Sequence, residues 1–283
     1  MRRPGRAPVI VRLAIGPDWG ILRPLQTMAG SPLGGVNGDG AVTRVEVDGL
    51  GWRARLGWVA HVLKAATQQH HRELIEVFRP YVPDDAVVLD VGAHAGQFSK
   101  LFARLAPRGR VFAFEPSAYA RSVLKPALRW NGLDNVSIVA SGLSDAEGVS
   151  VLHTPIKRSG EMGFGLANLG SDQGTRATVQ QSIPLTTLDR FAAEHSLARL
   201  DFIKADVEGW EAHVLQGGIE TLRAWRPALF LEVVEASLAR AGSEPDAIWD
   251  ILEPLGYAAL KAPGFEPVHA FDGDGDYLFL AAA

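Results

Sequence analysis

The amino-acid sequence predicts an α/β fold, in which a mostly parallel sheet carries helices on both faces. From Ala86 onward, short runs rich in β-branched and aromatic residues alternate with helical patterns, which is typical of parallel strands joined by right-handed crossovers. The first run, 87–91, leads directly into a turn that contains Gly92 and Gly96. A buried strand, a glycine turn and a helix in this order indicate a site for an adenosine-bearing ligand.

Each element of this sheet is predicted from its own pattern. Strands are expected at 87–91, 111–115, 136–140, 202–205, 229–234, 257–261 and 277–280, which gives a seven-stranded sheet. Helices are expected at 97–105, 117–130, about 211–225 and 245–255. Ahead of the sheet, apolar residues recur at helical spacing between Arg53 and Tyr81, which predicts one or two helices that pack onto the domain.

Three consecutive segments make up the expected organisation of the chain. Residues 1–50 are rich in Gly and Pro and are expected to be an N-terminal extension, partly loop or disordered. Residues 51–83 form the N-terminal helical segment, and 84–283 form the ligand-binding domain. Inside that domain, residues from about 144 to 187 break the alternation of strand and helix around a glycine-rich centre, which predicts an insertion or a lid.

Composition excludes several classes of function. The chain has 28 basic and 32 acidic residues and a net charge of −4, so nothing favours a nucleic-acid partner. It has no cysteine, which excludes thiolate catalysis and cysteine metal ligands. No apolar run approaches the length of a membrane span. We therefore expect a cytoplasmic protein without a membrane partner.

The spacing of Gly92 and Gly96 helps to distinguish a dinucleotide from other adenosine-bearing ligands. A dinucleotide site would show G-x-G-x-x-G, whereas Gly92 and Gly96 are spaced G-x-x-x-G and Asp90 precedes them. An anionic side chain there favours a cationic ligand such as S-adenosylmethionine over a pyrophosphate. Glu115, at the end of the second strand, is placed to accept the ribose hydroxyls. In the alternative interpretation, Asp90 is a satisfied strand-end carboxylate and Glu115 caps the helix that starts at Ser117.

A second group of charged residues follows the strand at 202–205. Lys204 and Asp206 are two positions apart, so strand alternation places both side chains on one side, and Glu208 follows in the loop. A lysine and a carboxylate at a strand end can orient a substrate hydroxyl and receive its proton. The alternative is a surface ion pair followed by acids at a helix start, Glu208 and Glu211, where the helix dipole favours them.

Five segments carry a resemblance to a known family. The chain resembles the FkbM family of S-adenosylmethionine-dependent methyltransferases between about Asp84 and Lys261, in the segments VLDVGAHAGQFS (88–99), FAFEP (112–116), NGLDNV (131–136), PLTTLDRF (184–191) and IKADVEGWEAHVLQGG (203–218). The resemblance implies a class I methyltransferase fold, a Rossmann-like sheet of seven strands whose last strand is antiparallel. It implies S-adenosylmethionine as cofactor and O-methylation of a sugar or secondary metabolite.

The resemblance also implies which residues bind the cofactor. They are Asp90, Gly92, Ala93, His94, Gly96, Glu115, Pro116, Asn131, Ser141, Gly142 and Asp206. His94 stands where the family usually has Asn, and is expected to donate to the cofactor carboxylate as Asn would or to reach into the substrate pocket. The alternative is that a single histidine in a loop is incidental. The alternative role for Asn131 is that of a left-handed residue that ends a helix ahead of Gly132.

Methyl transfer from a sulfonium is an in-line displacement, so the enzyme chiefly supplies alignment and excludes water, and no metal is expected. The alternative is that Asp206 and Glu208 hold Mg²⁺ against a substrate diol, although two carboxylates without a third are weak evidence for a metal site. The residues expected to be catalytic are Asp206 or Glu208, as acceptor of the hydroxyl proton, assisted by Lys204 or His213. Glu232 is a further candidate. The expected partner is a small-molecule acceptor such as a glycoside or a hydroxylated metabolite, with a homodimer left open.

Two other functions stay open at this point. An NAD-dependent oxidoreductase would also use Glu115 on a ribose, although the missing middle glycine argues against it. A non-catalytic module that binds an adenosine ligand would retain the fold and lose the chemistry, and the exchange at His94 is compatible with that.

Overall fold

The computed structural model describes residues 52–155, 168–169 and 178–282. The expected extension, 1–50, lies outside the described residues, as does most of the glycine-rich centre of the insertion. Within the described parts of the chain, no helix is both long and apolar enough to cross a membrane.

The main sheet has eight strands, and it contains all seven of the predicted ones within two residues of their expected bounds. The strands are β1 (Val87–Val91), β2 (Arg110–Phe114), β3 (Val136–Val139), β8 (Phe202–Ala205), β9 (Ala228–Val233), β10 (Tyr257–Lys261), β11 (Glu266–Val268) and β12 (Gly275–Ala281). Their order in the sheet is β11-β10-β12-β9-β8-β1-β2-β3. The unpredicted strand is β11, which has three residues, one of them proline, and lies at the edge, where a strand can tolerate proline.

Strand directions agree with the fold class that the sequence predicts. The five strands from β3 through β2, β1 and β8 to β9 are parallel, whereas β12 is antiparallel to both of its neighbours, β9 and β10. Val88 and Leu89 belong to apolar clusters on opposite faces of the sheet, and neither is exposed. Burial on both faces explains why the parallel strands read as continuous apolar runs in the sequence.

Nine helices are found in the described residues: α1 (Trp52–Thr67), α2 (Ile75–Phe78), α3 (Gln97–Leu105), α4 (Ala118–Trp130), α5 (Leu188–Glu194), α6 (Glu211–Gln216), α7 (Ile219–Trp225), α8 (Glu235–Arg240) and α9 (Asp246–Leu252). The prediction of one helix over 211–225 is wrong, because the helix is interrupted at Gly217 and Gly218, which separate α6 from α7. A Cβ on Gly217 would lie 2.0 Å from the carbonyl oxygen of Ser144, so this break lets two backbone segments approach closely.

The described part of the expected insertion forms a second sheet of four strands. Its strands are β4 (Gly142–Leu143), β5 (Gly148–Pro155), β6 (Asn168–Leu169) and β7 (Thr178–Thr186), in the order β4-β7-β5-β6. Gln181 on β7 donates to the carbonyl oxygen of Pro116 at 2.9 Å and accepts from the backbone N–H of Ala118 at 3.0 Å. The second sheet is therefore attached where β2 passes into α4, beside the carboxyl edge of the main sheet.

The N-terminal helical segment packs on the main sheet through aromatic side chains. Phe78 is fully buried, and its ring centroid lies 5.6 Å from that of Phe102, 5.0 Å from Phe202 and 4.9 Å from Phe230. Such ring contacts add to the stabilisation from apolar burial. As a result, the chain between α1 and α2 is held at the mouth of the site described next.

Candidate active site

A cavity of about 330 Å³ opens at the carboxyl ends of β1, β2 and β8. This is the size of a small-molecule site, and it lies where open α/β sheets bind their ligands. Of the residues predicted from the sequence, those that line it are Gly92, Ala93, His94, Glu115, Pro116, Ser141, Gly142, Lys204, Asp206 and Glu208. The predicted residues that do not line it are Asp90, Gly96, Asn131, His213 and Glu232.

Gly92 directly follows β1 and contacts the backbone at the ends of β2 and β8, at the base of the cavity. It has a φ of 76°, and a Cβ there would lie 2.0 Å from the carbonyl oxygen of Asp206. The N–H groups of Gly92 and Ala93 both donate to the carbonyl oxygen of Phe114, at 3.0 and 2.9 Å. Only glycine permits this approach, which brings the turn after β1 against the loop after β8.

Gly96 lies at the start of α3, outside the cavity. It has a φ of 83°, and a Cβ there would lie 2.3 Å from Cδ1 of Leu124 on α4. Its N–H donates to the carbonyl oxygen of Ala93 at 2.8 Å. Gly96 therefore closes the turn and lets α3 pack on α4.

Glu115 contacts the backbone at the start of α4, as the alternative interpretation expects, and it also lines the cavity. It is 6% exposed, and its Oε2 accepts from the N–H of His94 and its Oε1 from the N–H of Ser117, each at 2.7 Å. Burial raises the pKa of Glu115 to about 7, although the two backbone donors and the charges of Arg121 and Lys204 oppose the shift. A carboxylate has about four lone-pair positions, so this one can still accept hydrogen bonds from the cavity.

His94 lies in the turn with a φ of 49°, a conformation that is uncommon for a residue with a side chain. Its backbone N–H is the group that holds Glu115. The exposed imidazole lines the cavity. The turn thus places an imidazole ring in the cavity, next to the end of β1.

Asp90 is placed beneath the turn and not in the cavity. It is not exposed at all, its Oδ2 accepts from Ser99 at 2.5 Å, and its Oδ1 lies 3.6 Å from Nζ of Lys204. Asp90 and Lys204 are register partners on β1 and β8, which turns the two side chains toward each other. In the structure the contacts of Asp90 are with Ser99 and Lys204, and Asp90 does not line the cavity where a ligand is expected.

Lys204 is the cation at the centre of the site. Its Nζ lies 3.6 Å from Oδ2 of Asp206 and donates to the carbonyl oxygen of Gly92 at 3.1 Å. Burial alone would lower the pKa of Lys204, but the charges of Asp206, Asp90 and Glu232 outweigh it, and the pKa is raised. Lys204 therefore stays protonated and orients carboxylates and backbone rather than accepting a proton.

Carboxyl groups gather around Asp206 at the open edge. Glu232 on β9 and Asp276 on β12 are register partners, and Glu208 follows in the loop with a φ of 55°. Burial, together with the charge of Asp206 and a hydrogen bond to it, raises the pKa of Glu232 to about 8. Burial and Asp206 also raise the pKa of Asp276 and of Glu208. Asp206 therefore lies beside a neighbour that holds a proton near neutral pH.

Sequence reasoning missed Asp276, because nothing in the last strand marks it before its pairing with β9 is known. In the described parts of the chain, no three His, Asp or Glu side chains converge as a metal site would require.

Glu211 holds the loop that carries Asp206 and Glu208, a role that the sequence did not reveal. It is 1% exposed, and its Oε1 accepts from the N–H of Val207 at 2.8 Å and of Gly209 at 3.4 Å. Burial raises the pKa of Glu211 to about 7, against the effect of these donors. The sequence indicated only that Glu211 lies at a helix start and within the resemblance, two residues after a glycine.

Asn131 lies away from the cavity. Its Nδ2 donates to the carbonyl oxygens of Ala66 at 2.9 Å and Ala127 at 2.8 Å, and its Oδ1 accepts from Arg104 at 2.6 Å. Its φ of −90° is not left-handed, and Gly132 takes that conformation with a φ of 64°. The left-handed conformation expected for Asn131 is therefore wrong, but Asn131 does end α4, as the alternative role requires, and it joins α4 to α1 and α3.

Trp210 forms part of one wall near Ser141 and Gly142. Its Nε1 donates to Ser144 at 3.1 Å, and Ser144 donates to Asp145 at 2.9 Å. His213 stacks on the indole with ring centroids 4.3 Å apart and does not line the cavity. The structure thus places His213 behind Trp210 instead of beside Asp206.

The opposite wall comes from the N-terminal segment and the second sheet. His71 lines the cavity and stacks on Phe98 with centroids 4.5 Å apart, and Nζ of Lys204 lies 5.1 Å from the centre of the Phe98 ring. Leu152 of β5 also lines the cavity. Two elements outside the parallel sheet therefore complete the site.

Comparisons with known proteins agree with this architecture. The methyltransferase FkbM domain model matches residues 90–259, which is more than half of the chain. The 2-O-methyltransferase NoeI of Sinorhizobium fredii is 27% identical over 204 residues, covering 69% of this chain and 82% of NoeI. The AMB antimetabolite synthetase AmbE of Pseudomonas aeruginosa is 32% identical over 206 residues, covering 62% of this chain but only 10% of AmbE.

Among solved structures, an FkbM methyltransferase from Methylobacillus flagellatus is 14% identical with a TM-score of 0.44, covering 78% of this chain and 58% of that one. The family model, which begins at Asp90 and ends at Ala259, spans the sheet from β1 to β10 and every residue that lines the base of the cavity. The resemblance seen in the five sequence segments is thereby confirmed. The chain belongs to the FkbM family of S-adenosylmethionine-dependent methyltransferases.

Proposed function

We propose that this methyltransferase transfers the methyl group to a hydroxyl of a sugar or secondary metabolite. The observation that supports this most is the position of Asp206, a partly exposed carboxylate at the open edge of the cavity, 3.6 Å from the protonated Lys204. A carboxylate so placed can accept a hydroxyl proton as the methyl group is transferred. The relative NoeI is named a 2-O-methyltransferase, which points to the same class of acceptor.

The cofactor part of the proposal rests on the residues around the turn. S-adenosylmethionine supplies a methyl group on a sulfonium, which needs no further activation. Glu115 retains lone pairs that face the cavity and would accept the ribose hydroxyls, and His94 would donate to the methionine carboxylate. Ser141 and Gly142 would border the adenine. Asp90 and Lys204 support this arrangement from below.

The acceptor would enter between the N-terminal segment and the second sheet. His71 of the N-terminal segment and Leu152 of the second sheet line the cavity, as does Glu208. Asp206 is the proposed proton acceptor, and the protonated Glu232 beside it, whose pKa is about 8, can donate a hydrogen bond to the Asp206 carboxylate. Lys204 holds Asp206 in place through the ion pair at 3.6 Å. We further propose that residues 51–83 and about 144–187 serve the domain 84–283 as parts of the acceptor site.

The test is a labelled-methyl assay on a panel of glycosides and hydroxylated metabolites, with wild type and Asp206→Asn. We expect Asp206→Asn to lower kcat by about 10²- to 10⁴-fold, the usual contribution of a general base. Calorimetric affinity for S-adenosylhomocysteine should change by no more than about threefold, since the amide keeps the size of the side chain. Asp250→Asn, an exposed carboxylate on α9, is the matched control and should leave both quantities unchanged.

Two outcomes would contradict the proposal. A loss of S-adenosylhomocysteine affinity in Asp206→Asn with unchanged kcat would make Asp206 a cofactor ligand. If amines are methylated and none of the hydroxyl compounds in the panel is, the proposal of O-methylation is wrong. Membership of the FkbM family does not favour the NAD-dependent oxidoreductase or the non-catalytic module.

A further inference from the structure

A second cavity, of about 580 Å³, lies between the end of α1, the segment that leads to α2, and α3. Four basic side chains line it: Arg72, Arg79, Lys100 and Arg104. Neither the proposed methyl transfer nor the family assignment uses any of them.

Only one of these four cations has an acidic partner. Arg79 pairs with Glu76, with Nη2 and Oε1 3.0 Å apart. In the part of the chain that the structure describes, no carboxylate lies within ion-pair distance of Arg72, Lys100 or Arg104. Three positive charges therefore share one cavity without a counter-charge.

Arg104 is held in place by neutral groups. Its Nη1 donates to Oε1 of Gln69 at 2.7 Å and its Nη2 to Oδ1 of Asn131 at 2.6 Å. Asn131 is itself fixed by two carbonyl oxygens, so the guanidinium is oriented before any ligand arrives. A guanidinium held in this way is suited to a two-point contact with an oxyanion.

Lys100 is the buried member of the group, at 1% exposure. Its Nζ donates to the carbonyl oxygens of Ala65 and Gln68, at 2.5 and 2.7 Å, near the C-terminal end of α1. Burial and the charge of Arg104 lower the pKa of Lys100 to about 8. Capping a helix end accounts for two of its three protons, but it explains neither the oriented Arg104 nor the unpaired Arg72.

We propose that this second cavity binds a phosphoryl group, as a diphosphate or a phosphate ester. Three unpaired cations match the charge of two or three that such a group carries, whereas a single carboxylate would leave two of them uncompensated. Arg72 and Arg104 form the open side and Lys100 the floor.

The two cavities share one helix. Phe98, at the start of α3, lines the active site, and Arg104, at its end, lines the anion site. Six residues of α-helix span about 9 Å. The phosphoryl group can therefore belong to a free anion or to a diphosphate-bearing acceptor that extends from the first cavity to the second.

The test is calorimetric titration of inorganic pyrophosphate into the full chain at low ionic strength. We expect saturable binding to one site in the wild type and affinity at least about tenfold weaker in Arg72→Gln/Arg104→Gln, since both charge-assisted contacts are lost. Arg108→Gln/Arg223→Gln is the matched control: it removes the same charge from two exposed ion pairs, and binding should be unchanged. S-adenosylhomocysteine affinity within about twofold of wild type in all variants shows that fold and active site are intact.

A second readout follows Lys100 itself by NMR of ¹³C-labelled lysine. Pyrophosphate should raise the pKa of Lys100, because a bound anion stabilises the charged form. A uridine diphosphate sugar that binds more tightly than pyrophosphate assigns the site to an acceptor, and equal affinities assign it to a free anion. Unsaturable binding, equal weakening in the control pair, or a Lys100 pKa that does not move would overturn the site, whatever the methyl-transfer assay shows.

Discussion

Lys204 is the residue on which the geometry of the active site most depends. It is 3% exposed, lies 3.6 Å from both Asp90 and Asp206, and donates to the carbonyl oxygen of Gly92. It thus ties β8 to the turn after β1 and sets the place of the proposed base. A buried cation of this kind stabilises the fold only while its partners remain, because an unpaired buried charge is costly.

Replacing Lys204 by methionine should therefore destabilise the protein strongly. We expect Lys204→Met to lower the free energy of unfolding by about 3–5 kcal/mol, since Asp90 would be left buried without its partner. Asp90→Asn/Lys204→Met should recover part of that loss in denaturant unfolding. Lys261→Met is the control: it removes a cation 3.8 Å from the exposed Asp272 and should cost no more than about 1 kcal/mol. Equal losses at the two lysines would show that the Asp90 pair is not the cause.

The turn after β1 is the element that brings the cofactor residues together. It receives contacts from three directions: the carbonyl oxygen of Phe114 at the end of β2, the backbone at Asp206 after β8, and the side chain of Leu124 on α4. Gly92 and Gly96 are required there for separate reasons, close backbone approach in one case and helix packing in the other. The glycine spacing seen in the sequence is thus a consequence of packing as well as of ligand access.

Two glycines with positive φ, Gly92 and Gly132, allow two effects of an alanine substitution on stability to be separated. One is the steric clash of the added Cβ, and the other is the strain of a left-handed backbone conformation. Gly92→Ala places a Cβ 2.0 Å from the carbonyl oxygen of Asp206, whereas Gly132→Ala at a φ of 64° meets nothing within 4 Å. We expect Gly132→Ala to cost about 1 kcal/mol in thermal unfolding and to leave S-adenosylhomocysteine binding unchanged. Gly92→Ala should cost clearly more and abolish binding. If the two variants behave alike, close approach at Gly92 is not what shapes the site.

Over the whole molecule, several carboxyl groups are buried with a raised pKa. Glu115 and Glu211 have a pKa of about 7 and Glu232 of about 8, against an ordinary value of 4.5. Between pH 4.5 and about 8 the folded state therefore binds more protons than the unfolded state. The contribution of these groups to stability is present at the acid end of that range and is lost as the pH rises. All three lie in or beside the candidate site: Glu115 lines the cavity, Glu211 holds the loop that carries Asp206, and Glu232 is a neighbour of Asp206.

The free energy of unfolding should accordingly fall as the pH rises from about 5 to about 8. Glu211→Gln should flatten this dependence, because the pKa shift of Glu211 corresponds to on the order of 3 kcal/mol. Glu253→Gln, an exposed glutamate, should leave the slope as in the wild type. The measurement is denaturant unfolding at a series of pH values. Identical slopes for Glu211→Gln and wild type would contradict a protonated Glu211 in the folded state.

Much of the fold was predictable because its signals are local. Strands buried on both faces appear as short apolar runs, and β1 and α3 have the predicted bounds. The second sheet was not predictable, because the segment of β5, GVSVLHTP, mixes polar with apolar residues and lacks the continuous apolar run that marks the buried parallel strands. The helix break at Gly217 likewise depends on the backbone of Ser144, more than seventy residues away.

The amino-acid sequence by itself determined the fold class, the family and the residues that follow each strand, since strand ends, glycine turns and family segments are local patterns. Only the tertiary structure decided what those residues contact. In the structure, Asp90 lies beneath the turn after β1, and Asn131 lies at a helix junction beside the second cavity. Glu232 and Asp276 lie close to Asp206. The physical reason is that burial and the charge of distant neighbours set the role of a titratable side chain, and neither is visible before the strands pair.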